Sequence, residues 1–418
     1  MELRVLETSS HFDAVRADWD AVYAADRHAS IFLSWPWLSR WLAEVRAGWF
    51  ILAVHSRARN RYVAFLPLRV GTEPLKGGGF YSVLKMAGNN FADYTGAIAD
   101  PDYAEEAFEL FGQAIAEMNW AMINFGYVRD DSGGLDRLMR QISLQQCNVS
   151  RDRREINAAE IDNTISPYVE LHQDWDAYLS GLSSNMRQKI RRLLRREDNV
   201  SDLRITETTV ESLDRDVEIL MALWMARWGH LKGNGKDAID RTVRRMLKHY
   251  MELGILHLPV IWLDDRPMAA HASLIDREKR RMHFYIGGRD EEFSRYQPGL
   301  TLHAFSIRQA IGMNLQEYDL LRGNEPYKFT LGAKTRQLRN VNVKIKSTAE
   351  RRTKVLHRQS IPAALQLINT QLADGDVESA EIGFRQILQL DKNCTPALAG
   401  IARIRRGQGA QSRSASAL

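Results

Sequence analysis

The chain has 418 residues, of which 44% are hydrophobic and 26% charged, with a formal net charge of +5. That balance is an ordinary globular one and supports sizeable packed cores, and the length suggests two or three domains. The mild positive charge suits an anionic ligand without the strongly basic signature of a nucleic-acid binder.

Cys147 and Cys394 lie far apart and form no CxxC pair, so neither a disulfide framework nor a metal site is expected. Met1-Glu2-Leu3-Arg4 lacks the apolar run of a signal peptide. The longest apolar stretch, Ile255 to Leu263, is too short to cross a bilayer. A soluble, cytoplasmic protein is expected.

In chain order, Phe12, Val15, Trp19 and Val22 predict a helix over Phe12 to Ala25. Pro36 opens a second helix through Val45. Strands at Trp49 to His55 and Tyr62 to Val70 flank a polar turn. A helix over Tyr103 to Met118, a strand over Trp120 to Phe125 and a helix over Leu135 to Ile142 follow. The polar stretch Arg151 to Asn163 reads as a connection. Helices are then expected over Gln173 to Glu197, Val210 to Leu231 and Ala238 to Leu253. Strands follow at Ile255 to Leu263, Met268 to Asp276 and Arg281 to Gly287. A helix over Gly299 to Gly312, a strand over Glu317 to Arg322 and a last strand over Val341 to Lys346 complete the second half.

The same order of helices, hairpin strands and a strand–helix–strand crossover occurs twice, which predicts an α/β (α+β) fold with mixed central sheets. The expected division is residues 1–155, 165–350, a helical segment over 360–405 and a disordered tail over 406–418. In the helical segment Ala380, Phe384 and Leu388 share one face. The tail is rich in Ser, Gly and Arg.

Three stretches carry chemistry. After the strand ending at Gly287-Gly288, Pro298-Gly299 opens a helix, leaving the amides of Gly299, Leu300 and Thr301 as donors for a phosphate, with Arg295 adding a cation. The same spacing also fits a plain capped helix. Arg187, Arg191 and Arg195 lie four apart on one helical face, a row suited to phosphate or carboxylate and equally to a solvated surface. Asp319, Arg322, Glu325 and Lys328 crowd a strand end and its loop, where crossover sheets hold ligands and where charges also pair internally. His271 lies mid-strand, as a general base if it faces a cleft and as a core group otherwise; His283 and Tyr285 lie on the next strand. Trp224, Trp228 and Trp262 read as core rather than a ligand cage.

Tyr285-Ile286-Gly287-Gly288, the Pro298-Gly299-Leu300 helix start and Asp319-Leu320-Leu321-Arg322-Gly323-Asn324-Glu325-Pro326-Tyr327-Lys328 resemble the GNAT-type acetyltransferases of the CelD-like, cellulose-biosynthesis-associated family. The helix Ser184 to Arg192 matches that family's Ser-x-x-Arg…Arg pattern. The resemblance runs from about Phe32 to Val343, and FemAB transferases, which also pair two GNAT-like halves, are similar more distantly. It implies two GNAT-like halves and acyl transfer from acyl-CoA, used as co-substrate without a metal, to an amine or hydroxyl. Ile286, Gly287, Arg295, Gln297, Gly299, Leu300 and Thr301 would hold the CoA. His271 or Asp319 would be the base and Tyr285 the acid. Arg187, Arg191, Arg322, Glu325, Tyr327 and Lys328 would bind a small-molecule or glycan acceptor, in polysaccharide or cell-envelope biosynthesis.

Arg295-Tyr296-Gln297-Pro298-Gly299-Leu300 keeps one glycine of the family's Arg/Gln-x-x-Gly-x-Gly/Ala loop and lacks the final small residue. The C-terminal segment resembles a tetratricopeptide-type repeat, implying a protein partner. The alternatives are aminoacyl transfer from tRNA, in which case alone nucleic acid is expected to bind, and a non-catalytic scaffold.

Overall fold

The computed structural model describes residues 1–45, 47–88, 91–199, 203–229, 235–346 and 355–415. The chain divides into two compact units. The first comprises Met1–Trp35, Trp41–Arg153 and Arg339–Leu418, and the second Pro36–Arg40 and Arg154–Leu338.

The strands are β1 (Glu2–Leu6), β2 (Gly48–Ser56), β3 (Arg61–Pro74), β4 (Phe80–Met86), β5 (Ile98–Ala99), β6 (Met122–Val128) and β7 (Cys147–Arg151), then β8 (Ile165–Glu170), β9 (Leu203–Glu207), β10 (Leu256–His257), β11 (Pro259–Leu263), β12 (Arg266–Asp276), β13 (Arg281–Arg289), β14 (Glu317–Asp319), β15 (Lys334–Gln337) and β16 (Arg339–Ile345). The helices are α1 (Ser9–Asp13), α2 (Arg16–Ala25), α3 (Trp35–Glu44), α4 (Ala104–Glu117), α5 (Gly134–Arg140), α6 (Trp175–Ser180), α7 (Ser184–Asn199), α8 (Leu213–Trp228), α9 (Lys236–Glu252), α10 (Pro298–Gly312), α11 (Pro326–Thr330), α12 (Ile361–Ala373), α13 (Val377–Leu390) and α14 (Thr395–Ala415).

Each unit is built on an eight-stranded mixed sheet. The first has the order β1-β2-β3-β4-β6-β16-β7, with β5 beside β3; the second has the order β15-β8-β14-β13-β12-β11-β9, with β10 beside β12. Each contains one parallel strand pair, β4 with β6 and β13 with β14. The fold is thus mixed α/β, as the repeated order of elements predicts.

The strand expected to end the second half, Val341 to Lys346, belongs instead to the first sheet. There β16 pairs antiparallel with both β6 and β7. Local alternation cannot reveal this, because the pairing spans most of the chain. β8 fills the matching place in the second sheet, between β14 and β15.

The core of the first unit sets Phe111 and Ile115 of α4 against Phe50, Leu52, Leu66, Ile123 and Val343. The buried run Phe50 to Val54 suits a strand covered on both faces. In the second unit Ile190, Met282, Ile307, Tyr318 and Leu331 form one cluster.

Two expected helices are each broken in two. Val15 leaves helical geometry, and both Phe12 and Trp19 meet the ring of Trp35, at 3.9 and 6.2 Å. The segment Gln173 to Glu197 breaks after α6, where Asp174 caps one helix and Ser183 Oγ accepts from the Met186 amide near the start of the next. At the C-terminus α12, α13 and α14 bury Ile368, Phe384, Ile387 and Ala397 together with Phe80 of β4. The backbone of α14 stays helical to Ala415, well past Arg406 where composition predicts disorder; residues 416–418 lie outside the described residues.

Candidate active site

The β12–β13 hairpin shifts register between Ala272 and Ser273, which face Ile286 and Phe284. Tyr285 is therefore the extra residue of a bulge, which disrupts the ladder locally and bends its strand. On its other side β13 pairs with β14 only over Arg281–His283. Among the described residues the β13–β14 ladder ends at His283 and Asp319, so the parallel pair is open toward its C-terminal end.

The chain then enters α10. Gln297 adopts a left-handed conformation (φ 54°, ψ 48°) and Pro298 takes the first helical position. The Thr301 amide and hydroxyl both donate to Gln297 C=O, at 3.1 Å each. Thr301 is thus spent on the cap, unlike its expected role as a donor to ligand. Gly299 and Leu300 precede the first residue that can bond within the helix, and both are half-exposed. A Cβ on Gly299 would lie 3.9 Å from His271 Nε2 and 3.9 Å from Arg289 Cδ.

His271 is buried against Phe284 and His303, with ring centroids 4.8 and 4.5 Å away. Its Nδ1 is buried without a hydrogen-bond partner. Burial, with smaller contributions from His257 and Arg289, pushes its pKa down to about 3. The ring is neutral at physiological pH and weak as a base. His303 is held well below the ordinary histidine range by burial; its Nδ1 lies 3.0 Å from Tyr318 Oη and Tyr327 stacks on it.

Asp319, the other expected base, is fully buried and occupied. Its Oδ1 accepts from the Leu321 amide at 2.9 Å and its Oδ2 from Arg336 at 3.0 Å, with His283 Nδ1 3.4 Å away. Arg336 also holds Glu317 at 2.7 Å and lies over the Tyr168 ring. This cluster ties β14 to β15, which makes Asp319 a structural carboxylate.

Lys328 is likewise turned inward. Its Nζ donates to the carbonyls of Leu321, Arg322 and Gly323 at 3.3, 2.7 and 3.0 Å and pairs with Glu325 at 2.9 Å. Leu321 and Gly323 have positive φ, which suits three successive carbonyls to one ammonium. The expected acceptor-binding pair Glu325 and Lys328 thus closes a loop. Arg322 is half-buried and Tyr327 is exposed beside His303.

On α7, Ile190, Leu193 and Leu194 are buried. Arg187 is half-buried, whereas Arg191 and Arg195 are exposed and Arg191 pairs with Asp176 at 3.2 Å. Arg295 is exposed and donates to the Tyr296 hydroxyl. Trp262 is buried as expected, its Nε1 donating to Thr206, but Trp228 is exposed under Arg227.

Arg289 is the residue that the sequence leaves unmarked. Read as a loop residue, it is the last residue of β13, beside Gly299, with Nε 3.1 Å from Glu291. Its only sequence signal is its place two residues after Gly287.

Residues 184–329 match the family model of the acetyltransferase (GNAT) domain. No curated protein matches the chain. Among solved structures, FemX is similar at 13% identity over 82% of this chain and 97% of that chain, with a TM-score of 0.57. A conserved protein of unknown function from Bacteroides thetaiotaomicron is similar at 13% identity over 79% and 97%, with a TM-score of 0.48. A tandem GNAT protein from the clavulanic acid biosynthesis pathway is similar at 11% identity over 81% and 98%, with a TM-score of 0.44. No described helix is long and apolar enough to cross a membrane. The segment from α7 through α11, which contains the open strand pair and the α10 entry, is therefore the part of this mixed α/β chain that matches a GNAT acetyltransferase domain.

Proposed function

We propose that the second unit transfers an acetyl or longer acyl group from acyl-CoA to an amine or hydroxyl acceptor. The observation that carries this reading is the opening of β13 from β14 directly before the half-exposed amides of Gly299 and Leu300. In this reading a diphosphate lies against those amides, and Arg289 supplies a cation beside them. Ile286, Gly287, Gln297 and Arg295 are the other residues that this reading assigns to the CoA.

In this reading acyl-CoA supplies an activated carbonyl, and the chain's residues orient and polarise it. Main-chain amides of β13 at the register shift stabilise the developing oxyanion. His271 is too weak a base to strip an ammonium; it holds the neutral acceptor by a hydrogen bond, and the acceptor's proton leaves through water. Tyr285 protonates the departing thiolate. Arg187 and Arg322 hold an anionic group of the acceptor, such as a sugar or lipid-linked headgroup of cell-envelope biosynthesis. Asp319, Glu325, Thr301 and Lys328 support this arrangement without touching ligand.

The FemX-like fold and the arginine row of α7 favour a second reading, aminoacyl transfer from tRNA. The tetratricopeptide-like arrangement of α12 to α14 is then, as in the first reading, a docking element for a protein partner. Thermal melting of the full chain with acetyl-CoA, longer acyl-CoAs and aminoacyl-tRNA separates the readings. A ligand at 100 times its Kd stabilises by about 2.7 kcal/mol. Stabilisation by acyl-CoA supports the proposal; stabilisation by tRNA alone, weakening steeply with salt, replaces it with the second reading.

A further inference from the structure

A cavity of about 450 Å³ lies wholly within the first unit, outside the stretch that matches the GNAT domain. Its size falls in the range of small-molecule sites, roughly 300–1,000 Å³. Leu33, Leu66, Met86 and Phe108 give it apolar walls, and its polar lining carries both signs of charge, Arg27, Arg129 and Arg137 with Asp26, Glu105, Asp130 and Asp131, together with Ser30. Met86 and Val128 end the parallel strands β4 and β6, whose pairing covers only Val83–Lys85 with Met122–Asn124.

Two of the lining groups are buried with unmet hydrogen-bonding capacity. The Arg129 side chain is 8% exposed; its Nε binds Asp131 at 3.0 Å, while Nη1 has no hydrogen-bond partner. Ser30 is 2% exposed and its Oγ also has none. Buried polar atoms are nearly always paired, so two such donors on one cavity call for an acceptor from outside the chain. A guanidinium matches a carboxylate in geometry and charge, and the aliphatic and aromatic walls match an apolar body.

We infer that the first unit binds a small amphipathic organic acid, with its carboxylate on Arg129 and Ser30 and its hydrocarbon body against Leu66, Met86 and Phe108. This site is separate from the acyl-transfer site and does not rest on the proposed activity.

Calorimetric titration of the full chain with sodium octanoate and with octanamide tests the inference. The two probes share a hydrocarbon chain and differ in charge. Octanoate is expected to bind saturably, roughly tenfold or more tighter than octanamide, since charge-assisted hydrogen bonds are about twice as strong as neutral ones. Arg129→Gln removes the charge, and Ala97→Phe fills the cavity from a half-buried lining position. Each is expected to weaken octanoate about tenfold, and Ala97→Phe does so without disturbing the Arg129–Asp131 pair. Absence of saturable binding, equal binding of acid and amide, or a titration unchanged by both substitutions overturns the inference.

Discussion

Gly287 and His271 face each other across β12 and β13 so closely that a Cβ on residue 287 would stand 2.8 Å from the imidazole Cδ2. The same atom would meet the Phe284 ring at 2.9 Å. A Cβ on the next residue, Gly288, would strike the backbone of α8 at the Trp224 nitrogen, 2.6 Å away. The adjacent glycines thus let ring groups pack on one side of β13 and a helix on the other. Gly287→Ala is expected to cost about 1–3 kcal/mol through overpacking. It should also displace His271 and lower the acyl-transfer rate. Chemical denaturation and steady-state kinetics measure the two effects.

Lys328 holds three carbonyls and a carboxylate while buried. Removing one partner of a buried ionic cluster costs about 3–5 kcal/mol. Lys328→Met is therefore expected to destabilise the second unit by that amount. Arg191→Ala, which breaks only the exposed pair with Asp176, should cost less than about 1 kcal/mol. Urea midpoints of the two variants check the contrast.

His257 and His271 are pushed from 6.5 down to about 4 and about 3, and His303 is lowered as well, in each case mainly by burial. The unfolded chain takes up these protons first, so the stabilising contribution is complete above about pH 6.5 and is lost as pH falls toward 4. Each histidine contributes a slope of at most about 1.4 kcal/mol per pH unit. Urea unfolding of the second unit should weaken steadily over that window, and His257→Gln should flatten the slope. A stability profile level from pH 7 to 4.5 would count against the buried-neutral assignment.

Gln386 of α13 bonds both backbone groups of Phe80, its Oε1 accepting from the amide and its Nε2 donating to the carbonyl, each at 2.8 Å. This side chain fastens the C-terminal helices to β4. Gln386→Ala leaves both groups without their partner, at about 1–3 kcal/mol for each group that stays buried. Faster hydrogen exchange at Phe80 and through α12 and α13, with β13 and α10 unchanged, is the expected result.

Elements whose signals are local can be read from the sequence. The helices α4 and α10 and the strands β12 and β13 follow from periodicity and from glycine and proline at their ends. Elements defined by distant partners cannot. Lys334–Gln337 reads Lys-Thr-Arg-Gln, without the apolar alternation that marks a strand, yet its Arg336 decides the role of Asp319. Likewise β16 declares its sheet only through β6 and β7. The charge cluster around Lys328 fits internal pairing and ligand binding equally well on spacing. In the structure Leu321 and Gly323 turn with positive φ in the loop whose carbonyls meet Lys328, a backbone feature that spacing does not reveal.

The most direct test of the anion site proposed at the start of α10 is calorimetric binding of acetyl-CoA to the Gly299→Asp and Gly299→Ala proteins. A Cβ there meets nothing closer than 3.9 Å, so Gly299→Ala fits. A carboxylate in the first turn also favours the helix dipole, so the Asp variant should remain folded. The account predicts near-native affinity for Gly299→Ala and a loss of roughly tenfold or more for Gly299→Asp, with an unchanged or raised Tm. Equal acetyl-CoA affinity in both variants, or no binding by the unmodified protein, would contradict it.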